Sequence, residues 1–184
     1  MPLSPEQIAG CWRREYEKAP ATLARMSEIN TLAAAFNANV DSVVKISGAE
    51  LQRRIEQTGM TLAELKNDAD RSIRRPEDVL RGIFRCFTLG IAEEWIAQDK
   101  EIYRWMKKEL GTEKLQMGAQ AGIIANTMSL TGIGRVVTHV GALPELQARQ
   151  FFKRDNLLSF DQNGTLKPAH TVNRPNEEAS IHWI

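Results

Sequence analysis

Apolar positions recur with a helical period over most of this chain. The firmest stretch runs from Pro76 to Leu110. In its first part Leu80, Phe84, Phe87, Ile91 and Trp95 follow one another three or four residues apart, which places them on one side of a helix. Val79, Ile83 and Cys86 widen that stripe to nearly half the circumference. A helix so apolar is expected to be buried by others rather than to lie on a surface. A second helix ending at Leu110 carries Ile102, Trp105, Met106 and Leu110 on one face. Lys107 and Lys108 fall in its last turn and Gly111 just beyond, a C-terminal pattern.

Upstream, three S/T-x-x-E/Q boxes predict short helices: Ser4 with Gln7, Ser47 with Glu50, and Thr61 with Glu64. The first helix carries Ile8, Cys11, Trp12 and Tyr16 and ends at Pro20. Residues 22–46 read as helical with a break near Asn37. The helix opened by Ser47 stops at Gly59, and the one opened by Thr61 runs toward Arg75, where Pro76 restarts the chain. Downstream, Thr112 is placed to cap a helix from Glu113 to about Thr127. Its small residues Gly118, Ala119, Ala121, Gly122 and Ala125 let another backbone approach.

From Leu130 the texture changes. Arg135–Val140 is rich in β-branched residues, and the Asn163-Gly164 pair between short apolar runs predicts a hairpin. From Lys167 onward the chain is polar, with Pro168 and Pro175, and reads as an extended tail that buries little. Its apolar end, Ile181, Trp183 and Ile184, suits docking. The expected fold is therefore mainly α: a multi-helix, orthogonal or bundle-like domain with a short C-terminal β-hairpin and an extended tail. It divides into a short-helix region (1–75), a helical core with a small β or irregular part (76–166) and the tail (167–184).

Composition narrows this little. A chain of 184 residues with 42% apolar content buries a core without disulfides or metal. A net charge of +1 makes nucleic-acid affinity depend on a local patch. Cys11 and Cys86 form neither a disulfide framework nor a metal spacing and fit a cytoplasmic protein. The N-terminus lacks the basic and apolar regions of a signal peptide. The longest mostly apolar stretch, Leu115 to Leu143, is interrupted by polar residues and does not read as membrane-spanning. No phosphate-binding loop, dinucleotide fingerprint, HExxH or CxxC is present, and His139, His170 and His182 are scattered. No cofactor or metal is expected.

Three constellations remain. In residues 29–47, Ala33 sits where a small residue lets two helices touch, and Leu32 and Phe36 face a core. Asn37 falls where a turn needs a left-handed residue, and Asn39 is placed to cap the next helix. Val43 and Ile46 then bury that helix and expose Val40, Asp41, Ser42, Val44 and Lys45. The segment resembles the DNA-binding helix-turn-helix of phage and bacterial regulators. The resemblance implies DNA contacts from Asn39, Asp41, Ser42, Val44 and Lys45, flanked by Arg53 and Arg54 and by Arg71, Arg74 and Arg75. Second, Leu130, Gly132, Ile133, Gly134 and Arg135 resemble the hairpin of helix-hairpin-helix proteins, whose turn amides bind phosphate. Third, Cys86, His139 and Asp155 or Asp161 follow the order found in papain-like hydrolases, where an imidazole generates the thiolate and a carboxylate orients the imidazole.

The leading reading is a small cytoplasmic DNA-binding or regulatory protein of phage, plasmid or bacterial type, acting on duplex DNA through residues 29–47. The second is a helical interaction or assembly subunit whose C-terminal tail binds a protein partner. The third is a papain-like cysteine hydrolase or deamidase using Cys86, His139 and Asp155. The balance leans away from an enzyme.

Overall fold

The segment that resembles a helix-turn-helix is a pair of strands. In the computed structural model, which describes residues 3–67, 72–97, 99–111 and 114–183, β1 spans Thr31–Phe36 and β2 Asn39–Val43. Alanines favour helix in isolation, so the run Leu32–Phe36 misleads a local reading. Strand formation here is decided by a partner far along the chain. Thr31–Phe36 pairs in parallel with Arg135–Val140, designated β6, and small side chains suit a strand on which a helix packs closely. Arg71, Thr112, Glu113 and Ile184, each given a role above, lie outside the described residues.

The fold is mixed α/β rather than mainly α. In chain order the elements are α1 (Pro5–Ala24), β1, β2, α2 (Gly48–Thr58), α3 (Leu62–Leu65), β3 (Ser72–Ile73), α4 (Pro76–Leu89), β4 (Ile96–Ala97), α5 (Lys100–Glu109), β5 (Lys114–Gly118), α6 (Gln120–Met128), β6, α7 (Glu145–Ala148), β7 (Leu157–Phe160), β8 (Leu166–Pro168) and β9 (Ile181–Trp183). Contacts divide the chain into two compact units, Met1–Asp41 with Gln116–His182 and Ser42–Leu115 with Trp183–Ile184. None of the described helices is long and apolar enough to cross a membrane.

The first unit is built on a four-stranded sheet of order β1-β6-β7-β8. β6 and β7 are parallel, Val136 opposite Leu157, and β7 and β8 are antiparallel about Asn163-Gly164. The core comprises Ala34, Val136, Val140 and Leu157 from the strands, Ala125 from α6, and Leu143, Phe151, Ala169 and Val172 from the connections. Gly134 admits no side chain, because a β-carbon there would lie 2.9 Å from the Asn30 carbonyl oxygen. The Gly-Ile-Gly turn thus leads from α6 into strand β6, not into the second helix of a helix-hairpin-helix.

The supposed tail, as far as His182, is part of this unit. Ala169 and Val172 are in the core, the Arg174 amide donates to the Leu143 carbonyl at 3.0 Å, and Arg174 Nη2 donates to the Val140 carbonyl at 2.9 Å. Polarity along the sequence concealed this, because the anchoring is made by backbone carbonyls and two small apolar residues.

The second unit contains α2 to α5 and a short parallel pair, β3 with β4. Ser47 and Thr61 cap α2 and α3, as the sequence predicts. The long apolar stripe does not form one helix. α4 stops at Gly90, which adopts φ 63° and closes the helix with its amide on the Cys86 carbonyl. Phe87 is 55% exposed, while Val79 and Leu80 are buried. Trp95 lies beyond the helix, its ring over Gly82 and its Nε1 donating to Glu93 at 3.0 Å.

Candidate functional site

Two turns of the first unit meet beyond the carboxyl end of β1. Asn37-Ala38 links β1 to β2, and Ala119 links β5 to α6. The Ala121 amide donates to the Asn37 carbonyl at 3.2 Å and lies 3.3 Å from Asn37 Oδ1. Gln147, completely buried, donates through Nε2 to the carbonyls of Ala38 at 3.2 Å and Ala142 at 2.8 Å. The β1–β2 turn is thereby held from two sides.

Close approach dictates two glycines. A β-carbon on Gly118 would lie 2.6 Å from Asn39 Nδ2 and would overlap the Asp41 carboxylate. One on Gly122 would lie 2.7 Å from Met117 Cγ and 3.3 Å from the Ala38 methyl. Between them Ala119 adopts φ 57° and ψ 159°, a region open in practice only to glycine, at a cost of about 1–3 kcal/mol. Strain of this kind persists where the surroundings over-determine the backbone, and it is enriched at ligand-binding turns.

The polar groups that converge here are Asn39 and Asp41. Asn39 Nδ2 donates to Asp41 Oδ1 at 2.8 Å. Asn39 is 3% exposed, and its Oδ1 is buried with no hydrogen-bond partner among the described residues. An unsatisfied buried acceptor costs about 1–3 kcal/mol, so it marks a place where an external donor is expected. Asp41 is half-buried and, when ionised, purely an acceptor. α6 has no side-chain cap, so its first-turn amides face the same turn with positive polarity. Carboxylate, amide oxygen and backbone N–H groups side by side match neighbouring hydroxyl groups. In open α/β sheets ligands bind beyond the carboxyl ends of the strands.

The residues assigned to DNA contact scatter into other roles. Asn39, Asp41 and Ser42 belong to β2, with Ser42 wholly buried. Val44 and Lys45 follow it in the loop before α2. Arg53 and Arg54 are on α2 and pair with Glu50, at 2.7 and 2.8 Å, and Arg54 also pairs with Glu109 at 2.8 Å. Asn37 lacks the positive φ that a helix-turn-helix needs; among the described residues the non-glycine residue that has one is Ala119.

Within the first unit, the His139 and Asp155 of the hydrolase set do not come together either. His139, on β6, packs edge-on between Phe36 and Phe160, with ring centroids 5.9 and 6.1 Å away. Asp155 is exposed and precedes β7. Given the pairing of Val136 with Leu157, at about 3.3 Å per residue it lies roughly 16 Å from His139 along the strands. Asp161 is committed to the β7–β8 turn. Lys167 Nζ, 2.7 Å from its Oδ2, and the amides of Thr165 and Asn163, each 2.9 Å from its Oδ1, hold its carboxyl below the ordinary value. Cys86 is half-buried on α4, in the second unit.

Comparison with known proteins decides the family. The sequence profile of the ADP-specific phosphofructokinase/glucokinase conserved region matches residues 30–184. The chain belongs to this family. An ADP-specific phosphofructokinase of Pyrococcus abyssi is 32% identical over 153 residues, covering 82% of this chain and 34% of that protein. An ADP-dependent glucose/glucosamine kinase of the same organism is 30% identical over 176 residues, covering 94% of this chain and 38% of that protein. Among solved structures, a hypothetical ADP-dependent phosphofructokinase from Pyrococcus horikoshii OT3 superposes with a TM-score of 0.69 at 28% identity, covering 85% of this chain and 35% of that one. The last common ancestor of ADP-dependent phosphofructokinases from Methanosarcinales gives 0.67 at 26%, covering 95% and 37%.

The chain thus spans about a third of the length of the curated relatives it matches. Membership of a kinase family overturns the DNA-binding regulator, and with it the assembly subunit and the cysteine hydrolase. Asn39 and Asp41 are singled out by the sequence as parts of a helix-turn-helix, whose place the strands β1 and β2 take. The available signal was the pair Asn-Val-Asp and Gly-Ala-Gln-Ala-Gly: a polar strand end, and a glycine-rich turn opening a helix.

Proposed function

We infer that this chain supplies the sugar-recognition part of an ADP-dependent sugar kinase, with a hexose or hexose phosphate as phosphoryl acceptor and ADP as donor. The observation that carries this reading is the buried Asn39, whose Oδ1 lacks a partner among the described residues, beside Asp41 on β2. Asp41 accepts from one sugar hydroxyl and Asn39 Oδ1 from a neighbouring one. First-turn amides of α6 other than that of Ala121, which the Asn37 carbonyl holds, donate to hydroxyl oxygens. A carboxylate at this point repels phosphate groups and favours the uncharged, hydroxyl-rich part of the substrate. The names of the relatives supply the two substrate classes: phosphofructokinase, and glucose/glucosamine kinase acting with ADP. We place the protein in the cytoplasm, where the free thiols of Cys11 and Cys86 stay reduced.

Titration of the 15N-labelled chain with glucose, glucosamine and fructose 6-phosphate tests this. With at least one of the three, amide shifts are expected to concentrate at Asn37–Asp41 and Met117–Gly122. Shifts confined to other residues, or none with any of the three, would refute the assignment.

A further inference from the structure

In the first unit, β1 and β6 leave the sheet in step. Phe36 and Val140 are the last register pair between them. Two residues further along each chain stand Ala38 and Ala142, and the Gln147 side chain joins them. Its Nε2 donates to the Ala38 carbonyl at 3.2 Å and to the Ala142 carbonyl at 2.8 Å. A primary amide has two N–H donors, and both are used in this bridge. It stands where the two chains part, one turning back into β2 and the other running on to α7. In open α/β sheets, ligands bind in the crevice outside the carboxyl ends of the strands.

The Ala142 end of the bridge is anchored. Arg174 Nη2 donates to the Val140 carbonyl at 2.9 Å, and the Arg174 amide to the Leu143 carbonyl at 3.0 Å. The Leu143 amide donates to the Glu177 carboxylate at 2.6 Å. Gln147 is completely buried, and Ala148 and Phe151, which follow it, belong to the core. The Ala38 end is the short turn before Asn39. Its carbonyl lies in the same peptide plane as the Asn39 nitrogen, so fixing that oxygen fixes the plane from which the Asn39 side chain springs. Gln147 Oε1, by contrast, is buried with no partner among the described residues. An unmatched buried acceptor is destabilising, so what Gln147 adds over an apolar side chain of its size is the placement of two carbonyls.

We propose that Gln147 is a positioning residue for the sugar. It locks the Ala38 peptide to the loop between β6 and α7, and through that peptide aims Asn39 and Asp41 into the crevice. It does not touch the sugar itself. The two ends of the Ala38 bond are 109 positions apart in sequence, so the site depends on a residue that no local pattern connects with it. The inference rests on the sugar reading of Asn39 and Asp41.

The test combines a readout without sugar and one with it. Gln147→Met keeps the length of the side chain and removes both donors. In the free chain labelled with 13C and 15N, the carbonyl resonances of Ala38 and Ala142 are expected to move in this variant. Calorimetric titration follows, with whichever of glucose, glucosamine and fructose 6-phosphate binds the unaltered chain, at a temperature where both proteins are folded. Affinity is expected to fall roughly tenfold, the equivalent of one well-placed hydrogen bond. Ile133→Val, a core change in the same unit, is the control for stability alone. It should lower the melting temperature and leave affinity within about twofold, as for an independent site. Unmoved carbonyl resonances would overturn the proposal whatever the sugar result. Moved resonances with unchanged affinity would overturn it too, and leave the sugar reading standing. An unaltered chain that binds none of the three sugars would instead remove the sugar reading, and the proposal with it. Where Gln147→Met does not fold, Gln147→Glu carries both measurements with the same expected results, since an ionised carboxylate is an acceptor only.

Discussion

Gly118 lies so close to Asp41 that no methyl group fits between its backbone and the carboxylate. The same β-carbon would also lie 2.6 Å from Asn39 Nδ2. Gly118→Ala must therefore displace the pair that the sugar reading depends on. We expect sugar affinity to fall roughly tenfold or more, with a stability loss of about 1–3 kcal/mol from overpacking. Calorimetric titration alongside thermal melting checks both, and unchanged affinity would mean that this turn does not shape the site.

Ala119 is held where glycine belongs, at φ 57° and ψ 159°. Ala119→Gly relieves that strain but adds freedom to the unfolded chain, two effects of about 1–3 and about 0.4–1 kcal/mol. Net stabilisation is expected, seen as a higher melting temperature, whereas Ala119→Val should lower it. A lower melting temperature for the glycine variant would show that the methyl group makes packing contacts worth more than the strain.

On α4 the buried and exposed members of the apolar stripe should separate cleanly. Leu80 is 1% exposed and Phe87 is 55% exposed. Leu80→Ala is expected to cost about 2–5 kcal/mol, and Phe87→Ala less than about 1 kcal/mol, as for a surface position. Chemical denaturation of the two variants measures the difference, and comparable losses would place Phe87 in the core.

Acid should loosen the second unit through Glu50. Hydrogen bonds from Arg53 and then Arg54 hold its carboxyl at about 2, against an ordinary value of 4.5. Arg54, followed by Lys108, lowers Glu109 as well. A carboxyl whose folded pKa is depressed stabilises the fold at pH above its unfolded value, and that contribution fades as pH falls from about 4.5 toward 2. Glu50→Gln should flatten the acid limb of the stability curve in that window. Side-chain carboxyl NMR across the same range should show Glu50 titrating near its lower end.

Local signals were legible where they were sufficient. Ser4 and Thr61 close capping boxes around Gln7 and Glu64, and Lys107 and Lys108 fall in the last turn of α5. The sheet was not legible in the same way. Thr31–Phe36 becomes a strand because Arg135–Val140 lies beside it, and no helical or alternating period in Leu-Ala-Ala-Ala-Phe announces a partner so distant in sequence. Gly90 ends α4 in the middle of an apolar run that continues in phase, so the sequence pattern extends to Ile91 and Trp95, which the helix does not include. At the site, Asn39 reads as a cap and Asp41 as an exposed side chain of a helix whose place β2 takes. Their partner turn at Gly118–Gly122 read as helix interior, since small residues at helical spacing and a glycine-rich turn share one composition.

The most direct test of the sugar reading is the affinity of Asp41→Asn, measured beside the unaltered chain with whichever of glucose, glucosamine or fructose 6-phosphate binds. The substitution keeps the side-chain shape and the contact with Asn39, and removes the charge. Hydrogen bonds to charged groups contribute about 1.5–3 kcal/mol, so affinity should fall roughly tenfold or more while the melting temperature stays put. Equal affinity in the two proteins, with the same amides shifting, would contradict the assignment of Asp41 as the sugar's acceptor.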